Sequence, residues 1–140
     1  MNAYFLKLAR GGLFLAFLVV TIGAWVRLTD AGLGCPDWPG CYGILSTPDT
    51  ESELLRAKEL YPDSVIDIGK AWREMFHRYL AGTLGILVFI ITFLMLKYAK
   101  HVPKIYPISL SILIVIQSTM GMLTVTQLVK PTIVTTHLIL

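Results

Sequence analysis

No acidic residue occurs before Asp30 or after Glu74; all nine lie between those positions, and the charged residues of both flanks are basic. Cysteine is scarcer still, at two in 140 residues, and histidine appears three times. With no second cysteine pair and no histidine near Cys35 and Cys41, a tetrahedral zinc site lacks ligands. The 12 Lys and Arg side chains form no groove or stripe, so the net charge of +3 gives no footing for nucleic acid. Periodicity is missing too. The apolar residues, 55% of the chain, fall in long blocks instead of recurring at helical or strand spacing, which argues against a water-soluble globular domain.

The blocks have membrane dimensions. Gly11–Val26 offers 16 uncharged residues, Tyr79–Leu96 offers 18 and Ile105–Val129 offers 25. The first is short, yet it crosses a tilted or thinned bilayer if the stems of Arg10 and Arg27 reach outward. The expected fold is an all-α, polytopic membrane helical bundle with spans near 8–27, 78–96 and 105–128 and the start of a fourth from about 135. That last run stops at Leu140, far short of the roughly 20 residues a crossing helix needs, so the expectation is a fragment truncated in its fourth helix. Lys7 and Arg10 before an apolar run imitate a secretory signal, but Gly23–Arg27 lacks a small-residue cleavage pattern. Lys97, Lys100 and Lys104 follow the second span. The positive-inside rule then puts the N-terminus and this basic loop in the cytoplasm and residues 28–73 outside, in a cell's inner (plasma) membrane.

Outside the membrane the two cysteines gain a meaning. Cys35 and Cys41 enclose Pro36, Asp37, Trp38, Pro39 and Gly40, a turn-forming stretch that brings two thiols together in an oxidising compartment. A disulfide is the first reading; free thiols, a redox-active pair and a metal pair are the alternatives. Glycines at 32, 34, 40 and 43, with Trp25 and Trp38 suited to the headgroup zone, suggest a lid at the outer membrane face rather than a simple helix end. Thr50–Leu60 reads as a short scaffold helix, with Thr50 and Glu53 in a capping-box pattern.

The residues able to carry chemistry cluster at helix starts. Glu74 and His77 share a helical face, separated by about 4.5 Å of axial rise. Such a pair is either a simple hydrogen-bonded couple in the headgroup region or part of a site. Arg73 and Arg78 bracket it and are able to neutralise acidic groups of a ligand. Gln117, Gly121 and Thr124, at offsets of four and seven, form a narrow polar stripe, whose plainer role is helix packing. His137 opens the fourth apolar run on the same side as His77, and two histidines entering neighbouring helices at similar depth suit bis-imidazole ligation of a haem iron. His101 belongs to the basic loop and reads as solvated.

The run "GAWVRLTDAGLGCPDWPGCYG", then "EMFHRYLAGTLG", "QSTMGMLTV" and "TTHL", resembles the N-terminal half of the haem A synthase family, which serves cytochrome oxidase assembly. The resemblance implies an eight-span protein of two similar four-helix halves, of which this chain is one. It implies that Glu74 is required for activity, that His77 and His137 are axial ligands of haem iron, and that Cys35 and Cys41 form a disulfide. It implies an oxidoreductase that converts the ring D methyl group of haem O, the substrate, to the formyl group of haem A, with haem b as cofactor. Haem O synthase and oxidase assembly factors are the partners it implies, with an electron acceptor it does not specify; a homo-oligomer is compatible with it. Two other functions fit the same residues: a non-catalytic haem-binding cytochrome or assembly subunit, and a membrane thiol oxidoreductase using Cys35 and Cys41. The second needs an exposed pair, and five intervening residues depart from the reactive C-x-x-C spacing.

Overall fold

The uncharged blocks become helices because every backbone group in lipid needs an internal partner. A computed structural model describes residues 3–99 and 101–140, so Lys100, counted above in the basic loop, lies outside the described residues. Among the described residues there are five helices: α1 (Ala3–Leu28), α2 (Glu51–Leu60), α3 (Ile68–Tyr98), α4 (Ile105–Thr126) and α5 (Pro131–Ile139). Three of them, α1, α3 and α4, are long and apolar enough to cross a membrane.

Three helices begin before the spans expected from the sequence, α1 at Ala3 among them. α3 starts at Ile68, inside the segment 28–73, because the Asp67 side chain accepts the Lys70 amide at 3.0 Å and caps a helix whose first turns are polar. α5 starts at Pro131, before residue 135, since proline at the first helical position gives up no helical hydrogen bond. Between α4 and α5 the chain turns through Leu128 and Val129, at φ 51° and 48°, with the Val129 amide donating to the Thr124 carbonyl at 2.7 Å.

Helices pack in sequence order along the bundle, α1 on α3, α3 on α4 and α4 on α5. Methyl groups of Leu87 and Ile91 lie near Gly12, whereas His77 lies against Gly23, and this register makes α1 and α3 antiparallel. Thr92 ties α3 to α4 by donating to the Pro107 carbonyl at 3.0 Å and pairing with the Ser111 hydroxyl at 2.8 Å, a link suited to a medium without competing water. The main buried cluster sits at the other end of α3. Cys35, Cys41, Tyr42, Ala57, Ala71 and Met75 pack together, with Tyr61 and Ile66 against them, so the connecting segment, α2 and the first turns of α3 form one head.

The capping box on α2 is formed. The Thr50 hydroxyl accepts from the Glu53 amide at 3.3 Å, and Glu53 accepts from the Thr50 and Asp49 amides, each at 3.1 Å. Those amide donors hold the Glu53 carboxyl at about 2, below the ordinary 4.5. A lowered folded-state value means that the cap contributes fully above pH 4.5 and is lost as pH falls through about 2. Titrating Glu53 by carboxyl carbon chemical shift should therefore give a midpoint near pH 2, and Thr50→Ala should move it up toward the ordinary value.

Candidate functional site

The disulfide closes first. Cys35 and Cys41 are bonded, with Cα atoms 4.8 Å apart, and both side chains are fully buried. Burial denies the pair to any thiol partner, so exchange chemistry has no route to these sulfurs. Within the loop, Asp37 accepts the Tyr42 and Gly43 amides at 2.6 and 2.9 Å and folds the chain back where those residues take positive φ. Gly34 then meets α3 so closely that a methyl group on it would lie 2.6 Å from the Lys70 carbonyl oxygen and the Ala71 nitrogen.

Glu74 emerges beneath this loop with its carboxylate 5% exposed. Oε2 accepts the Cys35 amide at 3.0 Å, and Oε1 pairs with Nη2 of Arg78, one helical turn further on. Nη1 of Arg78 donates to the carbonyls of Asp37 at 3.0 Å, Pro39 at 3.3 Å and Gly40. Next to it, the Tyr79 hydroxyl donates to the Leu45 carbonyl at 2.6 Å. Arg73 points another way: Nε donates to the Gly69 carbonyl at 3.0 Å and its guanidinium lies 5.8 Å from the centre of a Trp25 ring.

Farther along α3 the site changes character. His77 faces α1, and a methyl group on Gly23 would lie 2.8 Å from its Cε1 and 3.2 Å from its Nε2. His137 on α5 faces α4 in the same manner, its Cε1 and Nε2 standing 3.5 and 3.7 Å from the position a methyl on Gly121 would take. Both Nδ1 atoms are buried without a hydrogen-bond partner, as is Oε1 of Gln117, while the Thr124 hydroxyl is used locally on the Gly121 carbonyl at 2.7 Å. Unpaired buried polar atoms are costly in a stable fold and mark places where a further group is accommodated. His101 is exposed and takes no part.

The structure thus gathers Glu74, Arg78, Cys35 and Cys41 into one network near the N-terminal end of α3, and seats His77 and His137 on glycines of neighbouring helices. Gln117 and Gly121 lie on the His137 side, and Arg73 stands apart at Trp25. Two participants escaped the sequence reading. Gly23 sits inside an apolar block, where its only signal was a missing side chain three residues from the end of that block. The carbonyls of residues 37–40 have no sequence signature at all.

Residues 7–140 match the sequence profile of the family described as cytochrome oxidase assembly protein. Among curated proteins, heme A synthase of Shewanella oneidensis is 49% identical over 132 residues, which are 94% of this chain and 40% of that protein. Heme A synthase of Lysinibacillus sphaericus is 33% identical over 65% of this chain and 24% of its own length. The Oceanobacillus iheyensis protein of the same name is 32% identical over 66% of this chain and 25% of its own. The chain therefore spans two fifths or less of the curated relatives it matches. No solved structure matches it.

Proposed function

The chain belongs to the cytochrome oxidase assembly protein family, and from that premise we propose that it acts as the histidine-bearing N-terminal half of a haem A synthase. One observation carries the reading: His77 and His137, on neighbouring parts of one bundle, each lie against a glycine and keep a buried, unpartnered Nδ1. A flat macrocycle needs close-approaching backbones and two imidazoles each with an uncommitted nitrogen, so these residues fit a haem. His77 and His137 would hold its iron, and the bound haem would supply one-electron oxidation and reduction that side chains cannot provide.

The protein's own residues have narrower tasks. Gly23 and Gly121 leave room for the imidazole edges, and Gln117 offers an acceptor on the α4 side. Glu74 places a negative charge at the outer turn, where it takes a proton released from the haem O methyl group or steadies positive charge developing there. Held by the disulfide loop, it sits in a place from which water is largely excluded. In this proposal the product is haem A, the resident cofactor is haem b, and the complete fold has eight spans in two four-helix halves. Haem O synthase and oxidase assembly factors are its proposed partners.

The test is chemical. Protein purified from its native membrane and given haem O, together with an added electron acceptor to take the electrons lost and water to supply the oxygen, should yield haem A, identified by mass and by the formyl-shifted absorption bands. Protein that binds haem and leaves haem O unchanged would favour an electron-transfer cytochrome or assembly subunit instead.

The orientation in the plasma membrane follows from charge placement and has its own check. A cysteine introduced at Asp49 should resist a reagent confined to the cytoplasm, and one at Lys104 should react with it. The opposite pattern would invert the topology.

A further inference from the structure

We propose that Arg78 is a positioning residue that transmits the path of the Cys35–Cys41 loop to the carboxylate of Glu74, a role that rests on the reading of Glu74 as a participant in haem O oxidation. The contacts form a closed circuit. Cys35, at the start of the loop, donates its amide to one Glu74 oxygen at 3.0 Å. Asp37, Pro39 and Gly40, further along it toward Cys41, direct three carbonyls at Nη1 of Arg78, whose Nη2 holds the other Glu74 oxygen. One carboxylate–guanidinium pair therefore grips the loop at both ends, and the disulfide joins those ends covalently.

Rigidity makes this a transmission device. A guanidinium is planar, with its donors in a fixed fork, so a shift of the carbonyls at one edge rotates the plane and carries the carboxylate at the other edge with it. Water cannot easily replace either partner, because the two side chains are only 12% and 5% exposed. Both terminal nitrogens of Arg78 are engaged within the protein, which distinguishes it from an arginine reserved for an acidic group of a ligand. Lysine at this position would keep the charge and lose the fork.

The experiment compares Arg78→Gln and Arg78→Lys, made in the protein purified from its native membrane, by three readouts. These are hydrogen exchange at the Cys35 amide without haem O, the absorption spectrum of bound haem, and kcat and KM for haem O. Arg78→Gln should speed Cys35 exchange and lower kcat about a hundredfold, as expected for misplacement by about 1 Å, with KM and the spectrum unchanged. Arg78→Lys should recover part of kcat. Should Arg78→Gln not fold, the lysine variant carries the same readouts against wild type. A raised KM or lost haem with unchanged Cys35 exchange would make Arg78 a ligand contact and overturn the proposal. Normal kcat in Arg78→Gln, alongside a large loss in Glu74→Gln, would overturn the positioning role alone. Normal kcat in Glu74→Gln would remove the underlying reading of Glu74 and the proposal with it.

Discussion

Glu74→Gln should leave haem bound and nearly abolish conversion of haem O, a fall of about 10²- to 10⁴-fold if the carboxylate moves or balances a proton. The substitution keeps the shape of the side chain and removes its charge. Both Glu74 oxygens accept hydrogen bonds, one from the Cys35 amide and one from Arg78. Glutamine has a single oxygen, so its amide NH₂ must face one of those two donors. Arg78 is then a buried cation without its anion, and breaking such a pair costs about 3–5 kcal/mol of stability. The variant therefore needs two measurements, thermal unfolding and turnover, taken below its unfolding temperature. His77→Ala should behave in the opposite sense, losing bound haem while the head with its disulfide stays folded. Near-normal haem A formation by Glu74→Gln would end the case for an essential negative charge.

Adding one methyl group at Gly34 should be a strongly damaging small change in the head, costing about 3 kcal/mol. The new carbon would lie 2.6 Å from the Lys70 carbonyl oxygen and the Ala71 nitrogen, and neither can move without bending α3. The same change at Gly23 has a different expected result. There the obstacle is the tip of His77, 2.8 Å away at Cε1, and a side chain can swing aside. Gly23→Ala should keep the fold and stability close to wild type while shifting the spectrum of bound haem, because the imidazole leaves its seat. Thermal unfolding and absorption spectra on the two variants separate these outcomes. A destabilised Gly23→Ala with an unaltered spectrum would show that the glycine serves packing alone.

What the residues disclosed depended on whether the physics was local. Uncharged blocks announced α1, α3 and α4, since lipid imposes length and internal hydrogen bonding on any segment that crosses it. The Thr50–Glu53 cap was readable because both partners lie within one helical turn. The early start of α3 was hidden by "IGKAWREM", whose polar residues look like loop until Asp67 is seen capping them and Ala71 and Met75 are seen buried in the head. His77 and His137 stood out as histidines at the edges of apolar runs. Their seats did not, because a glycine in a membrane helix usually serves packing and nothing in "TIGAW" distinguishes this one. Arg78 was read as a group for a ligand because its partners are main-chain carbonyls 38 to 41 positions away, supplied by the loop's path rather than by any residue type.

That last contact bears on which spellings of the loop the protein tolerates. Arg78 recognises the peptide backbone of Asp37, Pro39 and Gly40, so any side chain that permits the same path satisfies it equally well. Trp38, 43% exposed and contributing no hydrogen bond to the network, is then a position where a library of substitutions should be broadly accepted. Gly40 is the opposite case, since any side chain there would collide with the Ile44 carbonyl. A saturation screen across 36–40 would thus trace the backbone's shape in the pattern of permitted letters, strict where the main chain is crowded and permissive where a side chain merely faces outward.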